Sequence, residues 1–305
     1  MTGWDPGEAR RKSRLHLMMR LVRIEHTLFS LPFAYLGAVL SCPRCLGWWN
    51  AILIGLAVLG LRTASMAYNN IADLDIDKAN PRTKGRPLAS GALELRDAWL
   101  LVILASALYY ASALALNMTA FLLSPILWIL AMSYPHHKRV SPWPHYHLGL
   151  VLGFVVFGGA VAVCGECTSN LSWVLSRVPW IYLLAVTLWV AGFDIPYSIQ
   201  DVEFDRSQRL HSIPADYGVR RALLVSRLTH LVAGVLFAAA SLVHRLGWIA
   251  WSGTIIGLVL LFLQHYIIYK RGEKGIPLAF NLNLLIGLVI PIAVITDVLV
   301  RLYAA

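Results

Sequence analysis

The sequence predicts an all-α, polytopic membrane protein in which nine transmembrane helices surround a central cavity. Hydrophobic residues make up 58% of the 305 residues and charged residues only 14%, whereas soluble domains carry about 25% charged residues. Apolar runs of about 20 residues, the length that crosses a bilayer as a helix, recur along the whole chain. Between these runs, lysine and arginine are concentrated in alternate connections.

The apolar runs place the nine spans, to within a few residues, at about 24–41, 49–70, 98–116, 118–134, 147–164, 178–199, 221–243, 248–269 and 283–303. A long basic leader precedes the first span, and the chain returns to the membrane many more times. We therefore expect the first span to be retained rather than cleaved as a signal peptide. Acidic stretches follow spans 2 and 6, which favours two four-helix modules (24–134 and 147–269) plus a ninth helix (283–303) within a single membrane domain, 1–305.

Most lysines and arginines lie on one side of the predicted membrane, in the N-terminal arm and in the connections after spans 2, 4, 6 and 8. The positive-inside rule assigns this side to the cytoplasmic face of a cell membrane. The arm, residues 1–23, alternates basic and apolar residues at helical spacing, so we expect it to lie along the cytoplasmic interface; a topology signal alone is the alternative. The net charge of +10 is accordingly ascribed to topology and to contact with anionic membrane lipid, and not to nucleic-acid binding.

Two acidic stretches interrupt this apolar pattern at the cytoplasmic ends of spans 2 and 6. In NNIADLDID, residues Asn69, Asp73 and Asp77 are spaced by four. Each step of four turns a helix by about 400°, so the three side chains share one face, while Asp75 points elsewhere. The second stretch, DIPYSIQDVEFD, places four polar side chains on one face in the same way and leaves Glu203 off it: Asp194, Tyr197, Asp201 and Asp205.

The two acidic faces predict a metal site. Carboxylates that converge at low dielectric repel each other, so a cation has to compensate them. Carboxylate oxygens and water are the ligands of Mg²⁺, which often completes its shell with phosphate oxygens. Basic residues that suit the remaining charge of a diphosphate follow the first stretch directly: Lys78, Arg82, Lys84 and Arg86. The alternative is that both stretches are ordinary polar helix ends held by salt bridges.

The combined motifs resemble a known family. The NxxxDxxxD motif (69–77), the RxxxRPLASG stretch (82–91) and the DxxYxxxDxxxD motif (194–205) are similar to those of the UbiA superfamily of intramembrane aromatic prenyltransferases. The stretch RIEHTLFSLPFAYLGA (23–38) resembles the opening of its 4-hydroxybenzoate polyprenyltransferase branch. Many members carry an aspartate directly after the motif asparagine, where this chain has Asn70. Because that position is expected to face away from the acidic stripe, we expect metal binding to survive.

The resemblance implies a Mg²⁺-dependent enzyme of quinone or lipid biosynthesis. It would move an isoprenyl chain from its diphosphate to a small aromatic acceptor such as 4-hydroxybenzoate, and release diphosphate. The expected catalytic and metal-binding residues are Asp73, Asp77, Asp194 and Asp201, with Asn69 and Asp205 as further metal ligands. The expected diphosphate-binding residues are Arg82, Arg86, Lys138 and Tyr134. Tyr197 is expected to hydrogen-bond an aspartate or to flank the allylic cation, or else to be an interfacial aromatic.

Arg62 is a charged residue within span 2, seven positions before Asn69 and therefore on the same helix face, about 10 Å deeper. A cation inside a span is a functional-site hypothesis by default. Because an aromatic acid carries a carboxylate, Arg62 is expected to bind the acceptor. A structural pair with a helix carbonyl or an aspartate is the alternative.

The four cysteines form the pairs CPRC (Cys42, Cys45) and CGEC (Cys164, Cys167), both predicted in loops on the outer, oxidising side. Disulfides between the two loops are the favoured interpretation. A zinc site formed by four thiolates and free thiols are the alternatives.

Four histidines cluster between spans 4 and 5, and we interpret them as part of an interfacial loop rather than as a metal site: His136, His137, His145 and His147. Two rival functions remain. One is the same chemistry on another acceptor, such as a glycerol phosphate lipid, a menaquinone precursor or haem. The other is a transporter that uses intramembrane carboxylates as cation or proton sites. The basic residues beside the acidic motif argue against a transporter, because a cation pathway would avoid them.

Overall fold

The computed structural model describes residues 13–22 and 27–304, and these residues form helices with no β-strand among them. The predicted all-α class is therefore confirmed. Part of the predicted N-terminal arm, residues 1–12 and 23, lies outside the described residues, as do residues 24–26 at the start of the first predicted span.

The described α-helices are numbered here in chain order. They are α1 (Arg14–Val22), α2 (Thr27–Ser41), α3 (Trp48–Ala72), α4 (Leu74–Ala79), α5 (Leu95–Leu116), α6 (Met118–His137), α7 (Pro144–Cys167), α8 (Leu171–Arg177), α9 (Trp180–Ser198), α10 (Val202–Ser207), α11 (Ile213–Tyr217), α12 (Val219–Val243), α13 (Trp248–Arg271) and α14 (Ile276–Ala304). Short 3₁₀ turns connect some of them, at Pro43–Cys45, Ile199–Asp201 and Gly272–Gly275.

Seven segments of the described chain are long and apolar enough to cross a membrane, which confirms a multi-pass membrane protein. One of these segments, 248–304, contains both α13 and α14, and α2 is a shorter apolar helix. The predicted count of nine spans therefore stays a prediction. The helix ends agree with the predicted ends to within a few residues, except that α14 begins at Ile276 rather than near residue 283.

The centre of the bundle is formed by α7 and α9, which pack against each other. Trp189 and Tyr182 on α9 have no exposed surface. The two helices approach so closely that a Cβ atom at Gly149 of α7 would lie 2.1 Å from the carbonyl oxygen of Thr187. On its other side, α7 approaches α2, where a Cβ at Gly159 would lie 1.9 Å from the oxygen of Ala34. Small residues thus permit backbone contact across the bundle and fix the position of α9, which ends in the second acidic stretch.

The helix α1 is docked against the end of the bundle at which α3 and α9 finish, called here the acidic end. Its apolar residues Leu17, Leu21 and Val22 are buried in a small cluster with side chains of α3, α5 and the 80–94 connection. An ion pair joins Arg14 of α1 to Asp97 of α5. The described part of the predicted arm is therefore a helix with an apolar face, as its sequence pattern indicates, and that face contacts the protein.

At the opposite end, two disulfides connect the α2–α3 connection to α7. Cys42 is joined to Cys164 and Cys45 to Cys167, with Cα–Cα distances of 5.6 and 6.8 Å. The disulfide interpretation of the cysteine pairs is confirmed. The prediction that the second pair lies in a loop is wrong, because α7 extends to Cys167 and carries both cysteines in its last turn.

Candidate active site

The first acidic motif lies where the backbone changes direction. The helix α3 ends at Ala72, Asp73 occupies the junction with φ −99° and ψ 8°, and α4 begins at Leu74. The predicted single helix face is therefore broken at Asp73. The predicted separation of side chains is nevertheless confirmed, since Asp73 and Asp77 are each only 4% exposed while Asp75 faces outward.

The second acidic motif is also divided. The helix α9 ends at Ser198, a 3₁₀ turn covers Ile199–Asp201, and α10 then carries Asp205. The side chain of Asp205 accepts a hydrogen bond from Ser212 Oγ at 3.3 Å. Glu203 is exposed, as the predicted face requires.

A bridge of hydrogen bonds joins the two motifs. Arg82, which follows the first motif, forms an ion pair with Asp201 of the second, and its Nε lies 2.8 Å from Asp201 Oδ1. Asn80 Nδ2 donates to the same oxygen at 3.0 Å. Burial by itself lowers the pKa of Arg82, but the hydrogen bond and the charge of Asp201 outweigh burial, so the pKa lies above its ordinary value. Arg82 and Asp201, 119 residues apart in sequence, thus hold the two acidic stretches together by charge.

The carboxylates of the first motif have cationic partners of their own. Arg86 Nη1 lies 2.6 Å from Asp77 Oδ2, and Lys138 Nζ lies 2.6 Å from Asp73 Oδ2. Arg139 adds a longer contact of 3.5 Å to Asp73. Lys138 belongs to the segment after α6, so this pair joins α3 to α6. The cations predicted to bind diphosphate therefore stand beside the carboxylates predicted to bind metal.

Asp194, on the last turns of α9, has a partner that the sequence did not reveal. His145 Nδ1 lies 2.7 Å from Asp194 Oδ2. His145 is only 2% exposed, and its Nε2 is buried without a hydrogen-bond partner among the described residues. The interpretation of the four histidines as an interfacial loop is thus wrong for His145. Its position in the first turn of α7 places it inside the bundle, whereas His136 and His137 lie in the last turn of α6.

A polar cavity of about 970 Å³ opens among these residues. Its lining includes many of the predicted site residues: Arg62, Asn69, Arg86, Tyr134, Asp194 and Tyr197. It also includes Arg20 and Leu21 of α1, and Asn70, the position expected to face away from the site. The Tyr197 ring packs at a tilt of 39° against Phe280, with centroids 4.7 Å apart, and the Arg82 guanidinium lies over the Tyr197 ring at 5.7 Å. Tyr197 therefore lines this cavity, and its role there stays a prediction.

A second, apolar cavity of about 1160 Å³ adjoins the polar one, and Arg62, Asn69 and Tyr134 line both. It lies among α2, α3, α5, α6 and α7, and its remaining lining is almost entirely aliphatic or aromatic. Along α3 it extends from Asn69 to Ile54, which corresponds to about 22 Å of helix. The acidic end of the bundle thus combines a charged chamber with a long apolar one.

The donor chemistry at this end fits a hard divalent cation. Aspartate and asparagine oxygens are the available donors, and oxygen ligands suit Mg²⁺. Within the described ranges 13–22 and 27–304, no three histidine, cysteine, aspartate or glutamate side chains stand close enough to form a complete site by themselves. Asp73, Asp77, Asp194 and Asp201 are instead each bound to a basic side chain or to histidine. The predicted metal set therefore remains a prediction.

Comparisons with known proteins agree with this arrangement. The model of the UbiA prenyltransferase family matches residues 30–286. A 4-hydroxybenzoate octaprenyltransferase from Francisella tularensis is 30% identical over 82% of this chain and 83% of its own. A 4-hydroxybenzoate octaprenyltransferase from Aromatoleum aromaticum is 28% identical over 93% of this chain and 95% of its own.

Solved structures show the same fold. A UbiA homologue from Aeropyrum pernix, determined in the apo state, has a TM-score of 0.86 and 52% identity, and the match covers 90% of this chain and 98% of that one. A UbiA homologue from Archaeoglobus fulgidus bound to GPP and Mg²⁺ has a TM-score of 0.67 at 21% identity, covering 92% and 99%, and supports the fold alone. These matches contradict the transporter hypothesis, because the matched proteins are prenyltransferases. The chain belongs to the UbiA prenyltransferase family and is a membrane-bound prenyltransferase.

Proposed function

We propose that the protein transfers an isoprenyl chain from its diphosphate to an aromatic acceptor such as 4-hydroxybenzoate, releases diphosphate and depends on Mg²⁺. The observation that carries this proposal is the junction of the two cavities. Arg62, Asn69 and Tyr134 line both chambers, so a substrate with a charged head and a long apolar tail can occupy both at once. The relatives named as 4-hydroxybenzoate octaprenyltransferases act on this pair of substrate classes by their names.

The diphosphate head of the isoprenyl diphosphate would lie in the polar cavity. Arg86 lines it directly, while Arg82 and Lys138 stand beside the aspartates of the two motifs. Guanidinium groups bind phosphate oxygens in bidentate fashion, and lysine adds a point charge. We assign Asp73, Asp77, Asp194 and Asp201 as carboxylates that would hold Mg²⁺, with support from Asn69 and Asp205. When bound, Mg²⁺ supplies positive charge that stabilises the leaving diphosphate.

The reaction itself follows from the chemistry of an allylic diphosphate. The C–O bond breaks, and its electron pair leaves with the diphosphate. The allylic cation is then attacked by the ring carbon beside the phenolic hydroxyl, and that carbon loses its proton to the released diphosphate, the base that the reaction itself supplies. Arg82, Arg86 and Lys138 compensate the negative charge that develops on the leaving group. The apolar lining excludes water, which would otherwise capture the cation, and Tyr197 lines the polar cavity.

The acceptor carboxylate would be bound by Arg62. This residue lies about 10 Å deeper along α3 than Asn69 and lines both cavities. A ring held there by its carboxylate would present its hydroxyl edge toward the diphosphate chamber. We further propose that the acidic end faces the cytoplasm of a cell membrane, because the basic connections lie at that end and the disulfides at the other.

The experiment is a purified-enzyme assay read by mass spectrometry. Geranyl and geranylgeranyl diphosphates are paired with 4-hydroxybenzoate, a menaquinone precursor and a glycerol phosphate lipid, with Mg²⁺ present or replaced by EDTA. The expected result is a prenylated benzoate and free diphosphate, formed only with Mg²⁺. Asp201→Asn is the inactive control and Glu203→Gln, an exposed neighbour, is the matched active control. Turnover of the lipid but not of the benzoate would refute the acceptor assignment.

A further inference from the structure

We propose that α1 is part of the substrate site, with Arg20 binding an anionic oxygen of a substrate in the polar cavity and Asn70 positioning Arg20. This inference rests on the proposed function, because it assigns a further binding residue to the same site. The anionic group would belong to the diphosphate of the donor or to the carboxylate of the acceptor, which share the chemistry that a guanidinium recognises.

The position of α1 is well defined by its contacts. A nine-residue helix is too short to be stable alone, so its place depends on packing. Leu17 and Leu21 are 5% and 2% exposed within a cluster that includes Leu88 and Ala98. Arg14 at the start of the helix pairs with Asp97 of α5. These contacts hold α1 against α3, α5 and the 80–94 connection, and leave Arg20 exposed where it lines the polar cavity.

Asn70 provides a specific attachment next to Arg20. Its Nδ2 donates to the carbonyl oxygen of Leu21 at 3.2 Å and to that of Met66, one turn earlier in its own helix, at 2.8 Å. Asn70 is only 5% exposed. An amide has two N–H groups and can satisfy both carbonyls, whereas an ionised carboxylate has none and would place negative charge against two acceptors. The residue at position 70 thus determines whether the last turn of α1 is hydrogen-bonded to α3.

The charge of the cavity indicates what Arg20 is for. Three arginines line the polar cavity, namely Arg20, Arg62 and Arg86, whereas Asp194 is the carboxylate among its lining residues. Arg86 is already bound to Asp77, and Asp194 to His145. The lining of the cavity therefore contains more arginines than carboxylates. Because Arg86 and Pro87 line the cavity together with Arg20 and Leu21, α1 adds a cation to the chamber that would receive the substrate head.

The test uses full-length protein in vesicles of phosphatidylcholine, alone or mixed with anionic lipid, with Arg20→Gln, Arg20→Lys, Asn70→Asp and the double variant of Arg20→Gln with Asn70→Asp. Arg96→Gln is the matched control, since Arg96 is an exposed arginine of the same end that pairs with Glu94 and is not a lining residue of either cavity. We measure KM for the isoprenyl diphosphate, KM for 4-hydroxybenzoate, and kcat. Binding of inorganic diphosphate with Mg²⁺, and of 4-hydroxybenzoate alone, is measured by calorimetry.

The expected result is that Arg20→Gln raises KM and Kd for one of the two ligands by about tenfold or more, while Arg96→Gln changes neither. The ligand affected identifies the anion. Arg20→Lys should restore part of the loss. Asn70→Asp should raise the same constant by a smaller factor, and the double variant should match Arg20→Gln rather than the product of the two effects, because both act through one contact.

The proposal is overturned if Arg20→Gln leaves both KM and both Kd values within about twofold of the unmodified protein. It is equally overturned if the loss appears only in vesicles that contain anionic lipid, which would assign Arg20 to the membrane surface. Independence of the Asn70→Asp and Arg20→Gln effects would overturn the positioning role. The calorimetric measurements need no turnover, so failure of the proposed acceptor chemistry would be seen separately, as absence of prenylated product in the unmodified protein.

Discussion

Replacement of Arg62 by glutamine tests the acceptor assignment. Glutamine keeps much of the length of the side chain and its ability to donate a hydrogen bond, and removes the charge. Arg62 lies on α3 within a membrane span and lines both the polar and the apolar cavity. If it binds the acceptor carboxylate, the substitution should weaken binding of a carboxylated acceptor and leave binding of the diphosphate donor largely unchanged.

The magnitude follows from the environment of the side chain. Two unit charges 4 Å apart at an effective dielectric constant of about 20 attract each other by about 4 kcal/mol before desolvation is counted. A hydrogen bond to a charged group contributes about 1.5–3 kcal/mol net. Because about 1.4 kcal/mol corresponds to a factor of ten in affinity, Arg62→Gln should raise KM for 4-hydroxybenzoate by about 10- to 150-fold.

The assay compares 4-hydroxybenzoate with its neutral analogues, the methyl ester and the amide, at saturating isoprenyl diphosphate. The unmodified protein should prefer the carboxylate, and the variant should lose that preference. Arg227→Gln is the matched control, since Arg227 also lies within a spanning helix but is not a lining residue of either cavity. An equal rise in KM for the carboxylate and for the neutral analogues would refute the assignment, and would indicate that Arg62 supports the structure of α3.

Three further substitutions test other parts of the site. Asp73→Asn should reduce kcat by at least about 100-fold, because it removes a carboxylate proposed to hold the Mg²⁺ that stabilises the leaving diphosphate. Asp75→Asn, on the exposed face, should retain activity within about threefold. Similar losses of kcat in both variants would contradict the prediction that Asp73 faces the site and Asp75 faces outward. Gly158→Phe should raise KM for geranylgeranyl diphosphate far more than KM for geranyl diphosphate, because the added ring would fill part of the apolar cavity. The position has room for a side chain, since an added Cβ meets only Leu127, at 3.6 Å. Equal changes in the two KM values would exclude binding of the isoprenyl tail in this cavity. His145→Ala should raise the Mg²⁺ concentration needed for half-maximal activity about tenfold, because it frees the Asp194 carboxylate to rotate. His145→Asn, whose amide can donate a hydrogen bond in place of Nδ1, should restore part of the lost Mg²⁺ affinity. An unchanged Mg²⁺ dependence in the alanine variant would show that His145 does not position Asp194.

The helices could be predicted from sequence wherever a run of apolar residues marks the membrane span by itself. The start of α14 could not, because two asparagines near its beginning, Asn281 and Asn283, lower the local hydropathy. In the structure Asn283 has no exposed surface, and its Oδ1 accepts hydrogen bonds from Trp189 Nε1 at 2.9 Å and from Gln264 Nε2 at 2.8 Å. These partners lie 94 and 19 residues away, so no local pattern reports that the amide is satisfied and can lie in the membrane.

The site could be predicted as far as residue types and spacing extend. Spacing by four correctly separated Asp73 and Asp77 from Asp75, even though the helix is broken at Asp73. The partners of each carboxylate could not be predicted, because Lys138 and Asp73 meet across 65 residues through the packing of α6 on α3. The role of His145 was missed for the same reason, since its partner lies on another helix.

The salt bridges at the acidic end were also what the alternative of ordinary polar helix ends required, so their presence alone decides nothing. The surroundings of these salt bridges do distinguish ordinary polar helix ends from a substrate site. Asp73 and Asp77 are 4% exposed, and the desolvation of a buried ion pair often cancels its attraction, so well-packed apolar residues would be at least as stable there. Stability therefore gives little reason to place charged pairs at Asp73 and Asp77. A charged chamber that opens into an apolar one does give a reason, because cations already held beside these carboxylates need little reorganisation to receive a diphosphate.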